Sequence, residues 1–200
     1  MAEISLVLAS GSTSRQQMLK SAGVPFIVDR PDVDEGALKM ECRARGLTVA
    51  ETAEALALAK ARQIGGRHPG LIVIGADQML ECGEEWFDKP ADRAAAARQL
   101  QKLAGRVHRL HAAVVALRDD RVLWRTTDVA ELAIRPFTAD FLEAYLEREG
   151  DAVLSSVGAY RLESLGIQLF SAIHGNHFTI LGMPLLPLLS FLRDEGVITS

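Results

Sequence analysis

The sequence predicts an α/β protein with a mixed, largely twisted sheet flanked by helices, arranged as two lobes around a central cleft. Apolar runs of strand length alternate with helical patterns in the first half of the chain, which is typical of this class. Two long strand patterns then follow each other around residues 107–134, and such a hairpin makes the sheet mixed rather than parallel. The 200 residues, 48% of them hydrophobic, fit a single domain spanning residues 1–200.

The first half of the chain alternates short strands with helices that end at glycines. Strands are predicted at residues 4–9, 25–29 and 71–76, and helices at residues 12–22 and 48–63. Gly23 and the pair 65–66 stand where a helix stops. The polar segment 30–46 is predicted as a loop. The apolar run 71–76 is the clearest buried strand, and Asp77 follows at its carboxyl end.

The second half is predicted to contain the hairpin and three helices. A turn is expected at residues 81–85, helices at 92–104, 138–149 and 184–195, and strands at 107–117, 122–134 and 178–181. Segment 155–175 mixes apolar residues with three glycines and receives no assignment.

Charge and cysteine content limit the partners. Lys and Arg number 22 against 26 Asp and Glu, and no long basic run offsets this acidic balance, so a nucleic-acid backbone is not expected as partner. Cys42 and Cys82 have neither metal-type nor redox-type spacing. The apolar run at residues 4–9 is too short for a secretory signal, and no run is long enough to span a bilayer. We expect a cytoplasmic protein without a membrane partner.

Four segments carry residues suited to a phosphorylated ligand. The turn 10–15 combines hydroxyls, a glycine and Arg15 at the start of a helix, where anions bind. Asp77 after a buried strand can hold a metal or take a proton from water. Lys89, fixed by the proline after it, suits a phosphate contact. Glu35, which follows another acid, offers oxygen ligands to a metal.

Each of these segments also has a structural interpretation. Residues 10–15 equally form a strand-to-helix turn with a serine N-cap. A single Lys-Pro pair is a weak signal, which a surface lysine before a helix also explains. The acidic pair 34–35 is better explained, by itself, as part of a solvated loop. A functional role is favoured for Asp77, because no helix is predicted to begin directly after it.

The motifs taken together, in their order, resemble the Maf family of nucleoside triphosphate pyrophosphatases over nearly the whole chain. The matching residues are Leu8-Ala9-Ser10-Gly11-Ser12 with Arg15 and Leu19, Leu56-Ala57 with Lys60-Ala61, Gly75-Ala76-Asp77, Lys89-Pro90, Leu103-Ala104-Gly105 with His108, Gly158-Ala159-Tyr160, and Gly182-Met183-Pro184-Leu185. No single motif is decisive, whereas the ordered set is specific.

The resemblance implies hydrolysis of the bond between the α- and β-phosphates of a nucleoside triphosphate, giving a monophosphate and pyrophosphate. It implies that Asp77 accepts the proton of the attacking water or, alternatively, holds a metal and the water. Glu35 and Asp77 would be ligands of Mg²⁺ or Mn²⁺. Substrate binding would fall to Ser10, Ser12, Arg15, Lys60 and Lys89. A nucleoside triphosphate is the expected partner, and assembly as a homodimer is left open.

Departures from the family pattern bear on the base. Gln78 and Glu163 stand where many members have threonine and glutamine, and in this they are similar to the branch that prefers 7-methyl-GTP. A carboxylate at residue 163 would accept hydrogen bonds from the guanine N1–H and amine. Ser14 stands where that branch usually has tryptophan. The alternatives are a pyrophosphatase of broad specificity for damaged purine nucleotides and a nucleotide-binding regulator with weakened catalysis.

Overall fold

The computed structural model describes residues 5–199, which divide into two compact units. Unit 1 comprises the residues up to Gln78, His111–Asp128 and the residues from His177 onward. Unit 2 comprises Met79–Leu110 and Val129–Asn176. Ile4, the first residue of the first predicted strand, lies outside the described residues.

The described residues form seven strands and seven α-helices. The strands are β1 Leu6–Ala9, β2 Ile27–Val28, β3 Ile72–Cys82, β4 Glu85–Phe87, β5 Val107–Arg118, β6 Arg121–Ile134 and β7 Phe170–His174. The helices are α1 Thr13–Ser21, α2 Glu35–Ala44, α3 Val49–Gly65, α4 Arg93–Leu103, α5 Ala139–Glu149, α6 His177–Ile180 and α7 Leu185–Asp194. Short 3₁₀ helices cover Gly150–Ser155, Val157–Ala159 and Leu165–Leu169. In residues 5–199, no helix is long and apolar enough to cross a membrane.

Hydrogen bonding orders the strands β2-β1-β3-β5-β6-β7, with β4 paired to β3. Strand β1 runs parallel to β2 and β3, whereas β4 and β7 run antiparallel to β3 and β6, respectively. The prediction of a mixed sheet flanked by helices is therefore confirmed.

The core of unit 1 explains why the first strand is continuously apolar. β1 lies between β2 and β3, and all four of its residues are fully buried. Leu6 and Leu8 pack with Ile72 and Ile74 of β3 and with apolar residues of α1 and α7. These contacts fix the position of β3, on which Asp77 lies.

Helix α3 approaches β3 at a glycine. A Cβ atom on Gly75 would lie 2.0 Å from the carbonyl oxygen of Ala57 and 2.9 Å from the Cβ of Ala61. The helix begins with a capping box, in which Thr48 and Glu51 each accept a hydrogen bond from the other's backbone N–H. The close approach brings the face of α3 that carries Lys60 against β3.

The predicted loop 30–46 contains a helix, α2, so that prediction is wrong. Asp34 caps it by accepting a hydrogen bond from the N–H of Ala37 at 2.9 Å. Cys42 is the one residue of α2 that is buried, and the polar composition of the segment, with a proline and two glycines, favours a loop in the sequence although a helix forms.

Three further assignments differ from the sequence-based ones. Strand β3 continues to Cys82, because its second half pairs with β4, so Asp77 lies within the strand and the turn is shorter than residues 81–85. The predicted strand 178–181 is instead the short helix α6. The unassigned segment 155–175 forms 3₁₀ turns and then β7, which pairs with β6.

Candidate active site

The turn after β1 directs an arginine into the interior of unit 1. Arg15 is 8% exposed, and its guanidinium donates to the carbonyl oxygens of Gly182 and Ala76, each at 2.9 Å, and to Ser10 Oγ at 3.3 Å. Ser12 caps α1, its Oγ accepting from the N–H of Arg15 at 3.4 Å. Burial lowers the pKa of Arg15, an effect opposed by the carboxylates of Asp77 and Glu35. The turn therefore places a fixed positive charge close to two acids.

Lys60 joins those two acids. Its Nζ lies 2.5 Å from Asp77 Oδ1 and 2.7 Å from Glu35 Oε1. Lys60 and Asp77 are buried, whereas the Glu35 side chain is 45% exposed. The three residues come from α3, β3 and the first position of α2. The structure thus assembles side chains that are 25 and 17 residues apart in sequence.

The two carboxylate oxygens of Asp77 differ in their hydrogen bonding. Oδ1 binds Lys60, whereas Oδ2 is buried and has no hydrogen-bond partner among the residues that the structure describes. Burial raises the pKa of Asp77, and the charges of Lys60 and Arg15 oppose that rise. A buried oxygen without a partner is costly to keep, and it is suited to accepting a proton or a metal ion.

Gln78, the next residue, supports helix α6. Its Nε2 donates to the carbonyl oxygens of Thr179 at 2.9 Å and Ile180 at 3.0 Å. Thr179 is fully buried, and its hydroxyl donates to Asp128 Oδ2 at 2.5 Å. Sequence reasoning missed this role of Gln78 and missed Thr179 and Asp128 altogether, because the contacts span 50 residues or more. A contact of Gln78 with the base stays a prediction.

Unit 1 brings most of the predicted site residues together. It contains Ser10, Ser12, Ser14, Arg15, Glu35, Lys60, Asp77 and Gln78. Ser14 lies half-buried in the first turn of α1, and the other seven take part in the contacts above. No three His, Cys, Asp or Glu side chains of residues 5–199 are grouped as metal ligands.

Unit 2 carries the two remaining predicted residues. Lys89 is exposed in the segment between β4 and α4. Glu163 is also exposed, and its Oε1 lies 3.4 Å from Arg161 Nε.

The histidine of the family pattern is packed rather than reactive. His108 is 1% exposed, and its Nε2 lies 2.7 Å from the hydroxyl of Tyr160. Phe170 completes an aromatic group with these two rings. Burial lowers the pKa of His108 to about 4, so its imidazole is neutral at pH 7.

The chain is similar to known proteins over nearly its whole length. The sequence model described as "Maf-like protein" matches residues 5–195. A nucleoside triphosphate pyrophosphatase of Paramagnetospirillum magneticum is 53% identical over 190 residues, which are 95% of this chain and 98% of that protein. A 7-methyl-GTP pyrophosphatase of Brucella abortus is 48% identical over 195 residues, 98% of each chain. A solved dITP/XTP pyrophosphatase of Mycobacterium abscessus aligns over 96% of this chain and 95% of its own, with 16% identity and a TM-score of 0.45. This chain belongs to the Maf family.

Proposed function

We propose that the protein is a nucleoside triphosphate pyrophosphatase, which hydrolyses the α–β phosphoanhydride to give a nucleoside monophosphate and pyrophosphate. Membership of the Maf family and the names of relatives 48–53% identical support this activity. The observation that carries it is the carboxylate of Asp77, with one oxygen bound to Lys60 and the other buried and uncommitted. Phosphoryl transfer depends mainly on positioning and on neutralising charge, and the residues around Asp77 are suited to both.

Asp77 is the proton acceptor in this proposal. Lys60 holds Oδ1, which leaves Oδ2 to take a proton from water as the water oxygen attacks phosphorus. The new P–O bond replaces the bond to the leaving phosphate, and pyrophosphate departs with its electron pair.

The cations and hydroxyls bind the phosphates. Arg15 keeps a fixed orientation through two backbone carbonyls, and the remaining donors of its guanidinium suit phosphate oxygens. Lys60 and Lys89 add positive charge, and Ser10 and Ser12 supply hydroxyl groups at the start of α1.

Two carboxylates fit a divalent metal. Mg²⁺ is commonly held by one or two carboxylates together with substrate phosphates, and the half-exposed Glu35 offers such an oxygen. Asp77 Oδ2 is the second ligand in the alternative in which Asp77 holds the metal and the water instead of taking the proton. Mn²⁺ accepts the same ligands. Such an ion would add positive charge against the triphosphate.

The base is guanine, with 7-methylguanine as the favoured form. An exposed carboxylate at residue 163 can accept hydrogen bonds from N1–H and the exocyclic amine, and it would attract the positive charge of a methylated ring. Gln78 and Ser14 complete the proposed set of specificity residues. A broad preference for damaged purine nucleotides is the competing possibility, and a nucleotide panel separates the two.

Pyrophosphate release tests the proposal. The wild-type protein should release pyrophosphate from 7-methyl-GTP and GTP faster than from dTTP and UTP. Asp77→Asn, which is nearly isosteric, should lower kcat by roughly 10²–10⁴-fold while the protein stays folded, because Lys60 keeps its ion pair with Glu35. Asp151→Asn, an exposed aspartate, is the matched control. Wild type that binds nucleotides without releasing pyrophosphate would instead be a regulator.

Metal removal tests the proposed ion separately. A chelator should abolish turnover, and Mg²⁺ or Mn²⁺ should restore it. Full activity in excess chelator would show that the cationic side chains suffice.

A further inference from the structure

The loop that carries Glu163 is folded tightly on itself. We refer to residues 161–166 as the Glu163 loop. The N–H of Ser164 donates to the carbonyl oxygen of Arg161 at 3.2 Å. A Cβ atom on Gly166 would lie 2.3 Å from that same oxygen, so the two ends of the loop touch where only a glycine fits. The backbone of the loop therefore has one compact path.

A buried carboxylate ties this loop to helix α5. Glu149 is the last residue of α5, and its side chain is 2% exposed. Its Oε1 accepts from the hydroxyl of Ser164 at 2.6 Å and from the N–H of Leu165 at 2.9 Å. Hydrogen bonds to a charged, buried acceptor are stronger than those between neutral groups. Glu149 thus fixes the backbone directly after Glu163.

Arg161 connects the buried acid to the exposed one. Its Nη1 lies 3.8 Å from Glu149 Oε2, and its Nε lies 3.4 Å from Glu163 Oε1. The Arg161 side chain is 35% exposed, so Arg161 contacts the buried Glu149 on its inner side and the exposed Glu163 on its outer side. Loss of Glu149 would release the loop backbone and the arginine together.

We propose that Glu149 is a positioning residue for base discrimination, acting through Arg161 and the loop backbone on Glu163. The proposal rests on the proposed function, because it assumes that Glu163 contacts the base. The Glu149 side chain is buried, so a substrate would not reach it directly. Its effect is expected on the preference between bases rather than on the chemistry at Asp77.

The test measures the ratio of kcat/KM for GTP to kcat/KM for UTP. Glu149→Ala should lower this ratio about tenfold, mainly through a higher KM for GTP, because Glu163 no longer has a fixed position. Glu149→Gln keeps an acceptor for Ser164 and Leu165 and should retain more of the ratio than Glu149→Ala. Glu147→Gln, which removes an exposed acid from the same helix, is the control.

Repeating the measurement in a Glu163→Gln background tests whether Glu149 acts through Glu163. If Glu149 acts through Glu163, Glu149→Ala then leaves the ratio unchanged within about twofold. The inference would be overturned if Glu149→Ala lowered kcat/KM equally for both nucleotides, or if it changed the ratio to the same extent in both backgrounds. It would also be overturned if Glu163→Gln alone kept the wild-type ratio. Ser164→Ala, which removes one hydrogen bond only, replaces Glu149→Ala if that variant does not fold.

The two proposals can fail separately. Wild type that releases no pyrophosphate from either nucleotide refutes the pyrophosphatase function. In that case the ratio of Kd for UTP to Kd for GTP, measured in the same variants, still decides whether Glu149 controls base preference.

Discussion

Lys60 places one ammonium group between two carboxylates, and Asp77 depends on it for charge compensation. Lys60→Met keeps most of the stem and removes the charge, so it should lower the free energy of unfolding by about 3 kcal/mol at pH 8. Burial already raises the pKa of Asp77, and loss of the lysine raises it further. The folded variant then binds a proton that the unfolded chain does not, so its deficit shrinks as the pH falls toward 5.

Urea unfolding at pH 8 and pH 5 measures this deficit. Adding Asp77→Asn to Lys60→Met should recover most of the loss at pH 8, since no buried charge then remains unpaired. A deficit of equal size at both pH values would contradict this account of Lys60.

His108 gives stability a second pH dependence, of opposite sign. Its pKa is about 4 in the fold and about 6.5 in an unfolded chain, so between these values the unfolded state binds more protons. The free energy of unfolding should fall by about 1.6 kcal/mol from pH 6.5 to pH 5 on account of this group. His108→Gln should lose that part of the pH dependence, whereas His174→Gln, at an exposed position, should keep it. Parallel curves for wild type and His108→Gln would exclude the effect.

Among single elements, the helices and strands that local sequence patterns define were predictable, whereas those that depend on contacts distant in sequence were not. Strand β1 and the hairpin of β5 and β6 follow from apolar runs and a polar turn, and both are confirmed. Helix α2 lies in a polar segment with a proline and two glycines, which indicate a loop, so it was not predicted although its few apolar residues recur at helical spacing. The apolar stretch of α6 has strand-like composition, and its helical turn is held by distant side chains such as Gln78. Its conformation is therefore decided by tertiary contacts.

The contact of α3 with β3 depends on the absence of a side chain at Gly75. Gly75→Ala should lower the free energy of unfolding by at least about 3 kcal/mol, because the new methyl group would overlap the backbone of α3. Gly66→Ala is the control, since Gly66 has an ordinary helical φ of −62° and open space around it, and should change stability by less than about 1 kcal/mol. Chemical denaturation measures both. Equal stability of the two variants would show that α3 can shift away.

For the whole molecule, the sequence indicated which residues to group with Asp77, but it did not indicate the long-range contacts that hold the site. Resemblance to a family identified Glu35, Lys60 and Asp77, and the structure brings their side chains together. The contact of Glu149 with the Glu163 loop could not be predicted, because its hydrogen-bond partners lie 15 and 16 residues further along the chain. That segment has neither helical nor strand periodicity in its apolar residues.

The two tryptophans test whether residues 1–200 unfold as one domain. Trp124, stacked on Phe191, belongs to unit 1, and Trp86 belongs to unit 2. Strands β3, β5 and β6 each contribute residues to both units, so we expect one cooperative transition. Trp86→Phe and Trp124→Phe each leave one tryptophan as a fluorescent reporter. In each variant, the urea midpoint measured by tryptophan fluorescence should coincide with the midpoint of the same variant measured by circular dichroism. Separate midpoints would mean two domains.

The compact path of the Glu163 loop has a consequence for how such enzymes diversify. The loop is held by a buried acid, a backbone hydrogen bond and a glycine, none of which is residue 163 itself. Mutation at residue 163 is therefore expected to leave the scaffold of the loop intact. If residue 163 contacts the base as proposed, a single codon change would alter the substrate preference while folding is preserved. A gene duplicate could acquire a new nucleotide preference in one step, without passing through an unstable intermediate.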